Sequence, residues 1–148
     1  MTEFDTLEKV NALFSDAGAQ LSNNHFFIAY KDMQKNSGMA GGMEYPYDAM
    51  LINTNESGLN LLYLNQDGIP FKLKMEKMHV KPDAFHFIGY DNIKNVTIKK
   101  YALLNNKTKK VIIKTKDGKT HYLVVNLSEP ALAYHDAAFA AFLQKYAD

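Results

Sequence analysis

The side chains best suited to acid–base or metal chemistry, the five histidines, are scattered along the chain. The sequence contains neither a His-Glu-x-x-His pair of metal ligands nor a Gly-x-Ser-x-Gly nucleophile turn. Cysteine is absent, which excludes disulfides, thiolate metal ligands and cysteine nucleophiles. We therefore expect a protein that is not an enzyme and that has no catalytic residue, metal site or cofactor. The histidines are His25, His79, His86, His121 and His135.

Two of these histidines have an environment that the sequence predicts. His135 lies three residues after Leu132 and four before Phe139, on the apolar stripe of a predicted helix. This position favours a hydrogen-bonded histidine at the edge of the core over a metal ligand. His121 is expected opposite Lys114 in the hairpin described below. Because like charges opposite each other on two strands are unfavourable, we predict that His121 is neutral near pH 7.

Lysine supplies all 17 basic residues, because the chain contains no arginine. Arginine is the planar, bidentate group that most often reads guanine, so sequence-specific nucleic-acid binding is not expected. The charge is uneven: residues 72–119 carry 13 lysines and 4 acids, a net of +9, whereas residues 1–71 carry 3 lysines and 9 acids, a net of −6. The basic segment is either a solvated face or a surface that attracts nucleic acid or an anionic membrane.

Asp117-Gly118, between two apolar-rich runs, predicts a two-residue type I′ hairpin. Pairing outward from this turn places Ile112 opposite Leu123 and gives the hairpin one buried and one basic face. The predicted buried face consists of Val111, Ile113 and Thr115 with Val124, Tyr122 and Thr120.

The basic face of this hairpin includes the apolar pair Ile112 and Leu123. Such a pair is either ordinary scatter of apolar residues or a patch that a partner covers. The candidate partner surface consists of Ile112, Leu123, Lys114 and His121, and the candidate contacts to an anionic surface are Lys110, Lys116 and Lys119. Nonspecific nucleic-acid binding is not expected, since Tyr122 and Phe87 are predicted core residues and leave no stacking platform.

From residue 47 onward, short apolar runs alternate with turn residues, which predicts an antiparallel meander. Connections of a few residues allow only antiparallel neighbours, because a parallel crossover needs about a dozen or more. Asp67-Gly68 is a second predicted type I′ turn, and Asn105-Asn106 is a predicted turn. The seven predicted strands span residues 47–53, 58–65, 69–75, 84–89, 93–100, 109–115 and 119–126.

The two ends of the chain have helical patterns. Residues 3–17 predict a short amphipathic helix that ends at Gly18, and residues 25–30 predict a strand. Residues 31–46, rich in glycine and methionine, predict a mobile loop. Near the C-terminus, a helix is predicted to begin at residues 128–130 and to cover the open end of the sheet. Its apolar stripe is Leu132, Phe139, Phe142, Leu143 and Tyr146.

Four segments resemble the bacterial pleckstrin-homology-like (PH-like) domain family. They are residues 87–96 with an aromatic-Asp-x-Ile element, residues 110–119 with the Lys-Asp-Gly-Lys hairpin at their end, residues 122–125, and the terminal helix with Phe139, Phe142 and Leu143. The resemblance implies a mainly β, α+β fold: a seven-stranded antiparallel meander in two near-orthogonal sheets, a partly open barrel, with a C-terminal capping helix. The extra N-terminal helix, strand and loop occupy residues 1–46, and the PH-like domain occupies residues 47–148.

The resemblance implies a scaffold for binding. Bacterial members look mainly like protein-interaction or assembly modules, so we expect a protein partner or homo-oligomer. The alternatives are peripheral attachment to anionic membranes through the lysine face, and an enzyme or small-ligand carrier with a cleft beneath the methionine loop. We expect one domain in a cytoplasmic protein, because the sequence has neither a signal-peptide pattern nor a long apolar run.

Overall fold

The structure is a computed structural model, and it describes residues 2–33, 47–68 and 72–146. These residues form one seven-stranded antiparallel sheet with an N-terminal and a C-terminal helix. The predicted class, mainly β with these two helices, is confirmed. The elements are α1 (Leu7–Asp16), β1 (Phe26–Lys31), β2 (Ala49–Thr54), β3 (Gly58–Gln66), β4 (Met78–Gly89), β5 (Ile93–Ala102), β6 (Asn105–Thr115), β7 (Thr120–Asn126) and α2 (His135–Tyr146).

The strands follow the order β4-β3-β2-β1-β7-β6-β5 across the sheet. Two meanders, β1 to β4 and β5 to β7, are therefore joined where β1 meets β7. This junction is short, with Tyr30 opposite Val124 and Lys31 opposite Leu123. The two outermost strands, β4 and β5, are consecutive in sequence and connected by a 3-10 turn at Tyr90–Asn92. The sheet must curl, because its two edges meet at this turn.

His135, at the start of α2, fills the gap where β1 diverges from β7. Its Nδ1 accepts a hydrogen bond from the backbone N–H of Ile28 on β1 (3.1 Å), and its Nε2 donates to the backbone carbonyl of Asn126 on β7 (2.6 Å). The tautomer with its proton on Nε2 satisfies both strands. His135 is fully buried, so the prediction of a hydrogen-bonded core histidine is confirmed.

The strands β1 to β3 are covered on both faces. The face that carries Phe26 packs against Phe14 of α1, with ring centroids 5.1 Å apart. The opposite face, which carries Phe27, packs against Phe142 of α2 at 5.0 Å. A strand buried on both faces needs a continuous apolar run in place of alternation. The unbroken apolar sequence of residues 26–29 meets this requirement.

The first helix is shorter than the predicted one. α1 begins at Leu7, where the hydroxyl oxygen of Thr6 accepts a hydrogen bond from the backbone N–H of Lys9 (3.1 Å). Gly18 follows the helix with φ of +98°, a conformation that glycine adopts without strain. The predicted helix end at Gly18 is confirmed.

The second helix begins later than predicted. α2 starts at His135, whereas the sequence predicted a start at residues 128–130. The carboxylate of Asp136 accepts a hydrogen bond from the backbone N–H of Glu129 (2.9 Å), so the preceding segment turns back towards the helix. Phe139 and Phe142 are buried on α2 as predicted, and Leu132 is buried in the turn before it.

The seven strands are not the seven predicted ones. The prediction of a strand at residues 69–75 is wrong where the structure describes it, because residues 72–74 are irregular and Met75–Lys77 is a 3-10 turn. The remaining strand is β1, which was predicted at residues 25–30 but outside the PH-like segment; it lies between β2 and β7. Of the predicted mobile loop, residues 34–46 lie outside the described residues.

The hairpin between β6 and β7 is offset by one residue from the predicted register. The N–H of Thr115 donates to the carbonyl of Lys119 (2.9 Å), which closes a three-residue loop. Gly118 has φ of +92°, whereas Asp117 has no positive φ, so the turn is not type I′. Ile112 consequently faces Tyr122.

A one-residue offset exchanges the two faces of β7. Leu123 and His121, predicted to face outward, are buried with exposures of 1% and 4%. Tyr122, predicted in the core, is half-buried on the outer face. The predicted faces of β6 are correct, since Val111 and Ile113 are buried.

Candidate functional site

The four residues of the predicted partner surface do not share one surface. Lys114 is exposed and Ile112 half-buried on the outer face of β6, whereas Leu123 and His121 are buried on the inner face of β7. The predicted Ile112–Leu123 pair does not form, because Leu123 faces Val111. Of this surface, Ile112 and Lys114 remain on the outside of the sheet.

His121 is held inside the curled sheet beside Tyr47. Its Nδ1 is 2.7 Å from the Tyr47 hydroxyl oxygen. Burial, reinforced by the nearby charge of Lys119, lowers the pKa of His121 to about 4. His121 is therefore neutral near pH 7 as predicted, but for a different reason: Lys114, the residue named in the prediction, faces Thr120.

The three lysines predicted to contact an anionic surface lie at two separate places. Lys110 is on the outer face of β6, with its Nζ 3.6 Å from a carboxylate oxygen of Asp32 and 5.9 Å from the centre of the Tyr101 ring. Lys116 and Lys119 are exposed beside the β6–β7 loop, at the far end of β6. Lys110 therefore does not form one cluster with Lys116 and Lys119.

The most exposed large apolar side chains among the described residues form the tip of the β5–β6 hairpin. Ala102 pairs with Asn105, so Leu103 and Leu104 make the turn between the strands. Leu103 is 87% exposed and Leu104 is 96% exposed, whereas the next, Phe87, is 49% exposed. The sequence predicted the turn at Asn105-Asn106 and not at this tip, because asparagine is a turn former and leucine is not.

The tip projects beyond the three-stranded part of the sheet. Pairing between β6 and β7 ends at Thr108 and Asn126, before the tip is reached. An open groove of about 760 Å³ lies behind the tip, between residues 104–108 and residues 126–128. Leu103 and Leu104 are therefore held away from the body of the protein.

The β5–β6 hairpin is also the most basic part of the chain. It carries seven lysines and no acidic residue between Ile93 and Thr115. Two pairs of these lysines lie directly opposite each other, Lys99 with Lys110 and Lys100 with Lys109. Like charges at opposed positions are destabilising. Asp32 already offsets the charge of Lys110, so an external anion would mainly meet the exposed Lys99 and Lys100 and the opposed Lys109. The lysines are Lys94, Lys99, Lys100, Lys107, Lys109, Lys110 and Lys114.

His79 and His86 lie apart from this hairpin. The ring of His79 lies between two carboxylates, with Nδ1 3.0 Å from Glu3 and Nε2 2.8 Å from Asp67, and these hydrogen bonds raise its pKa. His86 stacks on Tyr63 at 4.2 Å, and partial burial, with the charge of Lys119, lowers its pKa. His79 thus links Glu3 to Asp67, and His86 packs β4 against Tyr63 of β3.

Phe87 and Tyr122, both predicted in the core, are partly exposed. The Phe87 ring lies over Gly58, where an added Cβ would be 2.7 Å from the ring. The side chain is thus fixed against the sheet, with one side open. The prediction that Phe87 is in the core and offers no ring for stacking is therefore wrong.

Across residues 2–33, 47–68 and 72–146, no three histidine, aspartate or glutamate side chains are grouped so that they could hold a metal ion. None of the helices described is long and apolar enough to cross a membrane. Comparison with protein-family models, with curated proteins and with solved structures found no match to the chain.

Proposed function

We propose that the protein is a noncatalytic, PH-like binding module that recognises an anionic partner surface through its basic β5–β6 hairpin. The observation that carries the proposal is the charge of this hairpin, seven lysines without an acid, with two lysine pairs opposed across the strands. A hairpin needs no such pairs in order to fold, and they oppose folding. Asp32 meets the charge of Lys110 from within the molecule, so the charge that supports an outside partner is that of Lys99, Lys100 and Lys109.

The topology supports a PH-like scaffold. Seven antiparallel strands fall into two meanders that diverge beside His135, and a C-terminal helix contacts both β1 and β5. If the two meanders are regarded as two sheets, α2 closes the space between them, as the resemblance implies. The N-terminal segment then belongs to the scaffold, because β1 joins the meanders.

The positions of the histidines support a noncatalytic role. His135 bridges two strands, His121 lies beside Tyr47 in the core, and His79 joins Glu3 to Asp67. General acid–base catalysis needs a group that reaches a substrate in a cleft. These three side chains are engaged in holding the fold.

An acidic partner fits the hairpin better than a second copy of the same hairpin does. Two copies in contact at this surface would bring lysines together, which is unfavourable. Self-association would therefore have to pair the hairpin with the acidic N-terminal part of another copy. Light scattering distinguishes these cases, since a monomer excludes self-assembly and a salt-sensitive oligomer supports it.

A short polyglutamate peptide is a suitable anionic probe, and its binding can be followed by NMR chemical-shift changes. We expect the changes to centre on residues 99–110. The double variant Lys99→Glu/Lys109→Glu should weaken binding at least about tenfold, since each lysine near an anionic surface contributes about 1 kcal/mol. The matched control, Lys72→Glu/Lys74→Glu, reverses two exposed lysines outside the hairpin and should change the affinity less than about twofold.

Equal losses in the two double variants would contradict a specific contact surface and leave only the net charge of the protein. Binding that does not weaken with added salt would also contradict the proposal, because exposed charges are screened beyond about 10 Å at 0.1 M salt.

A further inference from the structure

We infer that the tip of the β5–β6 hairpin, Leu103 and Leu104, inserts into the surface of an anionic lipid bilayer. The inference rests on the proposed function and names the partner: the lysines supply the attraction to an anionic surface, and the leucines require that this surface has an apolar interior. Three features of the hairpin carry it, namely the exposure of the leucines, their distance from the lysines and the arrangement of those lysines.

The first feature is exposure. Leu103 and Leu104 are 87% and 96% exposed, far above the 49% of Phe87. Single exposed apolar residues are ordinary, but two adjacent leucines at the apex of a projecting turn offer their whole side chains to a partner. Transfer of a leucine side chain from water to an apolar medium is favourable enough to change a binding constant by tenfold or more, at roughly 1.4 kcal/mol for each factor of ten.

The second feature is distance. Lys100 lies three residues before Leu103 and pairs with Lys109, whereas β6 bulges between Lys109 and the tip. At about 3.3 Å per residue along β5, the backbones of the Lys100–Lys109 pair are about 10 Å behind the apex. The headgroup layer on one side of a bilayer is roughly 5 to 8 Å thick. Leucines that enter the acyl region would therefore leave these lysines level with the anionic headgroups.

The third feature is the arrangement of lysines around the hairpin. Lys99 and Lys110 are one opposed pair, and Lys100 and Lys109 are the next pair along the strands, so the two pairs point to opposite faces of the hairpin. Lys110 is already paired with Asp32, so the exposed Lys99 on one face and the exposed Lys100 on the other carry the argument. A bilayer surrounds an inserted tip with anionic headgroups on every side, which matches lysines on both faces. A protein surface would need a hydrophobic pocket with acids on both sides of it.

Tyr101 completes the match to a membrane interface. Its side chain is 44% exposed and lies between the lysines and the leucines in sequence. Tyrosine is enriched where a membrane protein passes through the headgroup region, because its ring is apolar and its hydroxyl is polar. The hairpin thus presents apolar, aromatic and cationic side chains in the order in which a bilayer would meet them.

Fluorescence can test insertion directly, since the chain contains no tryptophan. We expect the Leu104→Trp variant to shift its emission to the blue when vesicles of phosphatidylcholine and phosphatidylserine are added, and to be quenched by lipids brominated on their acyl chains. The matched control, Phe87→Trp, places tryptophan at a half-exposed site on β4 and should show neither change. Vesicles of phosphatidylcholine alone should bind the protein more weakly, because they lack net charge.

A second variant separates this inference from the proposed function. Leu103→Ser/Leu104→Ser keeps every lysine, so it should bind polyglutamate within about twofold of the wild type but lose at least about tenfold in partition to the anionic vesicles. Failure of the proposed function would appear differently: Lys99→Glu/Lys109→Glu and the control Lys72→Glu/Lys74→Glu would then lose equal affinity for polyglutamate.

Three results would overturn the inference. One is an emission spectrum of Leu104→Trp that does not change while the protein sediments with vesicles. Another is equal vesicle binding by the wild type and the double-serine variant. The third is polyglutamate binding without any sedimentation of the protein with anionic vesicles at low salt, which would leave an acidic protein as the partner of the hairpin.

Discussion

The two meanders of the sheet use apolar residues in opposite ways. In the first, Phe27 of β1 is 1% exposed and contacts Phe139 and Phe142 of α2. In the second, Leu104 is 96% exposed at the tip of a hairpin rich in lysine. The sequence carries comparable hydrophobic residues at both places, so composition alone does not show which of them build the core.

The first meander mainly stabilises the fold, whereas the second exposes residues that could contact a partner. In β1 to β3 each strand is largely buried on both faces, and His135 hydrogen-bonds to the backbone of Ile28 and Asn126 where β1 and β7 separate. In the β5–β6 hairpin, opposed lysines disfavour pairing of the strands, and exposed leucines lower solubility. Departures from the local rules of folding, concentrated in one element, are expected at sites of function.

Truncation to alanine should have very different effects in the two meanders. Phe27→Ala should lower the free energy of unfolding by about 3 to 5 kcal/mol, since it leaves a cavity between the sheet and α2. Leu104→Ala should change it by less than about 0.5 kcal/mol, because the side chain has almost no protein neighbours. Chemical denaturation of both variants measures the difference. Similar losses in the two variants would mean that the tip is packed and not free to bind.

A somewhat smaller effect is expected at the junction of the two meanders. His135→Ala would leave the buried N–H of Ile28 and the carbonyl of Asn126 without their partner, and should destabilise the protein by about 2 to 5 kcal/mol. Hydrogen exchange should also show faster exchange of the Ile28 amide. Leu143→Ala, on the same helix but at a partly buried position, serves as a control that keeps both hydrogen bonds. A stable His135→Ala variant with a protected Ile28 amide would contradict the bridging role.

The sequence predicted the scaffold better than the site, for reasons that individual residues make plain. The apolar residues around Phe139 and Phe142 recur with helical spacing, which predicts a helix with one buried face, so α2 and this face could be predicted. Asp117-Gly118 predicted a hairpin correctly, but it fits both a two-residue and a three-residue loop, because Gly118 can be the second residue of the former or the third residue of the latter. His121 and Tyr122 can each be buried, so the sequence does not choose between the registers.

The tip of the β5–β6 hairpin was missed for a different reason. Leu103 and Leu104 are neither turn formers nor alternating strand residues, and Asn105-Asn106 beside them gives a stronger turn signal. One signal was available: two leucines that follow no alternation, with Lys100 and Lys107 on either side. A rule that assigns leucine to the core suppresses this signal.

Acidification should lower the free energy of unfolding through the buried His121. Its pKa of about 4 in the folded protein is below its ordinary value of 6.5, so protonation favours the unfolded chain. The stability that neutral His121 contributes is complete above about pH 6.5 and is lost as the pH falls towards about 4. Between about pH 7.5 and about pH 5 we expect a loss of about 2 kcal/mol in the free energy of unfolding.

Denaturation of the wild type and of His121→Gln at both pH values isolates this contribution, because His79 and His86 titrate in both proteins. The difference between the two proteins should shrink on acidification. A difference that stays constant, or an NMR titration that places the pKa of His121 above 6, would rule out burial as the controlling effect.

The smallest effect is expected at Lys109, where stability and binding should change in opposite directions. Lys109→Glu replaces a repulsive pair with Lys100 by an attractive one, which should raise the free energy of unfolding by about 0.5 kcal/mol. The same substitution should weaken attachment to anionic vesicles and to polyglutamate. Lys109→Gln, which removes the charge without reversing it, should give about half of each change. If Lys109→Glu instead lowered the stability of the free protein, the opposed lysines would not be under electrostatic strain, and the charge of the hairpin would lose its value as evidence for a binding surface.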